Sequence, residues 1–66
     1  MKIIEVINKE DAVLAIDLLC KTDIDFESEL QNNKGRIKFK FKNINDLNEA
    51  ITLLEQNNIN SFYTIG

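Results

Sequence analysis

A strict alternation of apolar and charged positions predicts a β-hairpin in the middle of the chain. Residues 23–31 and 36–42 each alternate between the two sides of an extended strand. One side is mainly apolar and consists of Ile24, Phe26, Ser28, Leu30, Ile37, Phe39 and Phe41. The other side is charged and consists of Asp23, Asp25, Glu27, Glu29, Arg36, Lys38, Lys40 and Lys42. Turn-forming residues at 31–35 separate the two segments.

The register of this hairpin follows from the requirement that its apolar sides coincide. Leu30 and Ile37 point to the same face only if the residue numbers of each directly opposite pair sum to an odd number. Pairing Leu30 with Ile37 places the chain reversal at Asn33-Lys34. It also sets Glu29 opposite Lys38, Glu27 opposite Lys40, and Asp25 opposite Lys42. Each opposite-charge pair contributes about 0.2–1 kcal/mol, so the charges support the same register.

Two further segments have the spacing of amphipathic helices. Asn8 is predicted to cap a helix over residues 9–21, with an apolar stripe of Ala12, Val13, Ile16, Leu19 and Cys20. Asn45 is predicted to cap a second helix, which ends at Asn57-Asn58 because Asn tolerates the left-handed conformation. The apolar stripe of the second helix is Leu47, Ala50, Ile51 and Leu54.

The two ends of the chain are predicted to be strands. Residues 1–7 and 59–66 are rich in β-branched and aromatic side chains and too short for useful helices. The resulting order β-α-β-β-α-β predicts an α+β, ferredoxin-like fold, formed by a single domain over residues 1–66. We expect a four-stranded antiparallel sheet in the order 4-1-3-2, with both helices on one face and the other face open.

Composition argues against several kinds of chemistry. The 66 residues include no His, one Cys and two Gly, with a net charge of −3. His is the usual general base and the commonest metal ligand, and phosphate-binding loops need several Gly. We therefore expect no enzyme activity, no catalytic residue, no cofactor and no metal. A lone Cys, with neither a signal-like nor a membrane-spanning apolar run, predicts a soluble cytoplasmic protein without a membrane partner.

The basic segment is the candidate surface for nucleic acid. Five of the eight cations lie within nine residues, at Lys34, Arg36, Lys38, Lys40 and Lys42. Residues 34–41 resemble the third-strand signature of RNA-recognition motifs, which implies RNA binding by stacking on outward aromatic side chains. The alternation instead turns Phe39 and Phe41 inward. Nucleic acid is therefore the alternative partner, not the favoured one.

The acids of the first strand and of the hairpin are interpreted as ion-pairing groups. Same-face residues along a strand are about 6.6–7 Å apart, so the row from Asp23 to Glu29 does not converge on a cation. Glu5 is expected on the open face, where Lys38 is a candidate partner. A catalytic carboxylate would need a pocket and a second acid or base, and the pattern predicts neither.

Surplus apolar residues predict a protein interface. Ile3, Glu5 and Ile7 are expected on the open face, joined by either Phe62 or Tyr63 with Ile65, and Tyr63 is taken as the candidate. Leu14 and Leu18 form a second candidate patch on the first helix. Exposed apolar groups beside charged rows are typical of interfaces.

We therefore expect a small non-enzymatic protein-protein interaction module that binds a larger protein or a second copy. The many Asn and Ile residues suggest an AT-rich genome, and one version of the hypothesis is a phage or mobile-element inhibitor of a host defence or nucleic-acid enzyme. A second alternative is a small-ligand regulatory domain, which shares this order of elements. Such domains place Gly after the first strand, where this chain has Asn8-Lys9.

Overall fold

The computed structural model describes residues 2–31 and 36–65. It contains four strands and two helices in the order β-α-β-β-α-β, as the sequence predicts. The elements are β1 (Lys2–Val6), α1 (Lys9–Cys20), β2 (Phe26–Gln31), β3 (Arg36–Phe41), α2 (Ile44–Gln56) and β4 (Phe62–Ile65). The predicted chain reversal at Asn33-Lys34 lies outside the described residues. The protein is thus a small α+β domain.

The four strands form one antiparallel sheet in the order β2-β3-β1-β4. Read from the β4 edge, this order is 4-1-3-2. Leu30 lies opposite Ile37 and Phe26 opposite Phe41, which confirms the predicted hairpin register. The first strand of the chain lies inside the sheet, where Ile4 faces Phe39 on one side and Tyr63 on the other.

A single apolar core lies between the helices and one face of the sheet. Its strand residues come from alternate positions of β1 and β3, as side chains on one face must. The Phe26 ring packs edge-on against Phe39, with the ring centres 5.6 Å apart. The core consists of Ile4, Val6, Ala12, Ala15, Leu19, Ile24, Ile37, Phe39, Phe41, Leu47, Ala50, Leu54 and Ile59.

The buried residues of α2 match its predicted apolar stripe better than those of α1 do. In α2 the buried residues Leu47, Ala50 and Leu54 belong to the predicted stripe, and Ile51 packs against the core. In α1 the inward residues are Ala12, Ala15 and Leu19. Val13, Ile16 and Cys20, predicted in the core, are exposed instead. The predicted stripe of α1 is therefore confirmed at Ala12 and Leu19 and wrong at the other three positions.

The N-terminal caps are asparagine side chains. Asn8 Oδ1 accepts hydrogen bonds from the backbone N–H groups of Glu10 (2.9 Å) and Asp11 (3.3 Å), which confirms the predicted cap of α1. Asn43, not Asn45, caps α2, because its Oδ1 accepts from the Asp46 N–H at 2.8 Å. The Asp46 carboxylate in turn accepts from the Asn43 side-chain amide at 2.9 Å.

The C-terminus of α2 explains why β4 begins later than predicted. Asn58 adopts a left-handed conformation with φ of 57°, as expected for an Asn in this place. The Ile59 N–H then bonds back to the Leu54 carbonyl at 3.0 Å, and both side chains are buried. Residue 59 therefore closes the helix, and the strand starts at Phe62.

A local turn likewise shortens β2. The Thr22 hydroxyl donates to the Leu19 carbonyl at 2.7 Å and accepts from the Ile24 N–H at 3.2 Å. The Asp25 N–H points to Asp46 Oδ2 at 3.4 Å, so this segment is tied to α2. The strand consequently begins at Phe26 and not at residue 23. Within residues 2–31 and 36–65, neither helix is long and apolar enough to cross a membrane.

Candidate interaction site on the open sheet face

Two rows of side chains cross the sheet face that the helices leave uncovered, here called the open face. The first row runs Glu27, Lys40, Ile3 and Thr64 from the β2 edge to the β4 edge. The second row runs Glu29, Lys38, Glu5 and Phe62. The open face is therefore charged on β2 and β3, mixed on β1 and uncharged on β4.

The ion pairs on the open face form diagonally. Lys40 Nζ lies 3.3 Å from Glu29 Oε2, although Glu27 is the residue directly opposite Lys40. Arg36 Nη1 lies 3.7 Å from Glu5 Oε2, although Lys38 is opposite Glu5. Diagonal neighbours on a sheet are about 7–8 Å apart between backbones, a distance that long side chains span.

Two of the three predicted charge pairs are confirmed as cross-strand neighbours: Glu27 with Lys40, and Glu29 with Lys38. The third was wrong, because Asp25 precedes β2 and Lys42 follows β3. Such exposed ion pairs each contribute about 0–1 kcal/mol, so their main effect is to neutralise the basic strand locally.

The large apolar residues on the open face and directly after β1 are Ile3, Phe62 and Ile7, here called the open-face patch. Phe62 is 61% exposed and lies opposite Glu5, two positions from the residue that faces Ile3. Ile7 follows β1 directly and is 41% exposed. Tyr63 lies opposite the buried Ile4 and so belongs to the helix side. The assignment of Tyr63 to the open face was therefore wrong, and Phe62 takes its place.

The second predicted patch also changes its members. Leu14 is exposed, as predicted, but Leu18 is partly buried and packs against the core. Three further exposed apolar residues of α1 are Val13, Ile16 and Cys20, which recur at i, i+3 and i+7 and form one stripe, here called the α1 stripe.

The predicted nucleic-acid residues lie among acids. Arg36, Lys38 and Lys40 are on the open face, Lys42 is exposed just beyond β3, and Lys34 lies outside the described residues. Phe39 and Phe41 are buried and present no ring for stacking on a base. The acids that flank the three open-face cations are Glu5, Glu27 and Glu29.

The described residues bring together no group of three or more side chains suited to a metal ion. A groove of about 400 Å³ lies between α2 and the turn after α1, with Thr22, Ile24, Thr52 and Leu53 among its lining residues. The Thr22 hydroxyl is already engaged within its own turn. The groove is also lined by Asn48, Glu49 and Gln56.

Comparison with known proteins finds no matching family model, no similar curated protein and no similar solved structure.

Proposed function

We propose that this protein is a non-enzymatic interaction module with a ferredoxin-like topology, which acts in the cytoplasm by docking its open face on a larger protein or on a second copy. The observation that carries the proposal is Phe62. An aromatic ring that is mostly exposed on a flat sheet face, beside Ile3 and Ile7, is typical of the apolar centre of an interface.

The surroundings of the open-face patch fit the same proposal. Arg36 and Glu5 form an ion pair beside it, and Lys40 and Glu29 form another further from β4. A polar rim around an apolar centre is the usual arrangement of a protein interface. The intermixed acids also disfavour a polyanion, because nucleic-acid affinity arises from cations that face phosphates without competing carboxylates.

Two substitutions in the open-face patch and one control substitution on α1 test the proposal. The tagged protein and its Ile7→Asp, Phe62→Asp and Val13→Asp variants are used to capture partners from a lysate of the native cell, and captured proteins are quantified by mass spectrometry. We expect Ile7→Asp and Phe62→Asp to reduce recovery of the specific partner at least about tenfold, which corresponds to 1.4 kcal/mol. Val13→Asp is the matched control, since Val13 is 63% exposed on α1.

The outcomes separate the two surfaces. Circular dichroism checks that every variant remains folded, as expected for substitutions of exposed side chains. Loss of the partner with Val13→Asp alone would show that α1 is the docking surface and that the open-face proposal is wrong. Equal recovery with all three variants would contradict it as well.

A further inference from the structure

The two edges of the sheet differ in charge. The β2 edge carries Glu27 and Glu29, and charged side chains on an edge strand oppose pairing with further strands. The β4 edge consists of Phe62, Tyr63, Thr64 and Ile65, with no charged residue. Phe62 is exposed on the open face and Tyr63, 55% exposed, on the helix side. An uncharged edge strand with aromatic rings on both faces is suited to receive another strand.

The lack of charged residues in β4 favours a strand of the same kind as the occupant. The backbone N–H and C=O groups on the outer side of β4 require an extended partner, and its uncharged side chains favour a partner without charges at the paired positions. A second β4 meets both conditions. A second β2 does not meet them on its own edge, because a centred antiparallel pairing there opposes Glu27 of one copy to Glu29 of the other.

Parity fixes the geometry of such a pairing. If a two-fold axis perpendicular to the sheet relates the copies, paired residues must point to the same face, so their numbers add up to an even number. Centring the pairing on Tyr63 places the two Tyr63 rings side by side and sets Phe62 opposite Thr64 of the second copy. Aromatic and β-branched side chains are a favourable cross-strand combination. The open faces of both copies then become continuous.

We propose that two copies of this chain associate through antiparallel pairing of their β4 edges, which forms one eight-stranded sheet with Tyr63 at the two-fold axis. This inference deepens the proposed function by naming the second copy as a partner, and it adds an edge contact to the open face. The assembly stops at two copies, because the pairing covers the uncharged β4 edge of each copy and leaves only the two acidic β2 edges exposed. Because four residues form a small interface, the dimer belongs to the weak, transient class.

A charge-swap experiment at Tyr63 tests this pairing. Sedimentation equilibrium of the wild type, run up to about 1 mM protein, measures the dimer. Tyr63→Glu and Tyr63→Lys each place like charges next to one another at the axis, and each is expected to weaken the dimer about tenfold or more. A one-to-one mixture of the two variants places opposite charges there and is expected to regain the dimer mass. Asn48→Glu and Asn48→Lys, on the exposed surface of α2, are the charge-matched controls and leave the dimer unchanged.

The result distinguishes this pairing from the open-face proposal. Ile7 does not belong to the β4 edge, so Ile7→Asp leaves an edge dimer intact. A wild type that remains monomeric throughout, or a mixture that stays as monomeric as its separate components, overturns the edge pairing. Docking of the open face on a larger protein is unaffected by that outcome. A dimer dissociated by Ile7→Asp and not by the Tyr63 variants also overturns edge pairing and supports contact through the open face.

Discussion

The two helices cover the same face of the sheet, yet only one of them follows its hydrophobic pattern. In α2 the large apolar residues Leu47 and Leu54 are buried, and the exposed residues are polar apart from Ile44 at the start of the helix. In α1 the buried residues are Ala12 and Ala15 together with Leu19, whereas Val13 and Ile16 are exposed. The comparison shows that the bulk of a side chain does not by itself identify the buried side of a helix.

A physical reason is offered by the small side chains on the buried side of α1. Alanine side chains beneath a helix let its backbone approach the strands closely, and close packing is what stabilises a small core. Most positions of α1 are apolar, so several orientations about its axis bury a similar area. In the observed orientation Ala12 and Ala15 belong to the same buried core as Ile37 and Phe39, and the bulkier Val13 remains exposed.

The largest expected effect is the loss of stability when a buried leucine is truncated in either helix. Leu19→Ala in α1 and Leu54→Ala in α2 each remove a fully buried side chain and are expected to lower the free energy of unfolding by about 2–5 kcal/mol. Urea denaturation followed by circular dichroism measures both. Leu14→Ala is the control for α1 and costs much less, because Leu14 is exposed. Equal losses at Leu14 and Leu19 would contradict the observed orientation.

A smaller effect separates the observed orientation of α1 from the predicted one. Ala15→Leu adds bulk where the helix contacts the sheet and is expected to cost about 1–3 kcal/mol by overpacking. Val13→Leu adds one methylene to an exposed side chain and is expected to change stability by less than about 0.5 kcal/mol. The same denaturation measurement checks both, and the opposite ranking would restore the predicted stripe.

The smallest expected effects concern the helix caps. Asn43→Ala removes the hydrogen bonds exchanged with Asp46, and Asn8→Ala removes the cap of α1; each is expected to cost about 0.5–2 kcal/mol. We expect Asn43 to cost more, since Asp46 also holds the Asp25 N–H. Asn45→Ala is the control and is neutral or slightly stabilising, because Ala favours helix interiors. A loss at Asn45 equal to that at Asn43 would show that the predicted cap is the real one.

The sequence predicted most of the hairpin and little of the site. Strict alternation defines the side of every residue in β2 and β3, and the short turn-forming segment between them leaves few registers in which the apolar sides coincide. Thr22 and Asp25 shortened β2 through hydrogen bonds to Leu19 and Asp46, which depend on the folded positions of α1 and α2.

The choice between Phe62 and Tyr63 could not be made from the pattern, because both alternating sets of the last strand contain an aromatic ring. Only the pairing of Ile4 with Tyr63 decides it, and that pairing depends on where α2 ends. A closer reading of Asn58 and Ile59 as a helix-terminating motif would have shortened the strand, but not fixed its register. Which side chain of β4 lies on the open face thus depends on contacts between residues that are distant in sequence.

The interior position of β1 has a consequence for synthesis. This strand is translated before its hydrogen-bonding neighbours, β3 and β4, and the last of them includes Tyr63. Pairings between segments so far apart along the chain slow folding, because long loops must close first. Until residues 62–65 are translated, β1 lacks its hydrogen-bonding partner on one side. We expect a chaperone to protect this unpaired strand edge during that time.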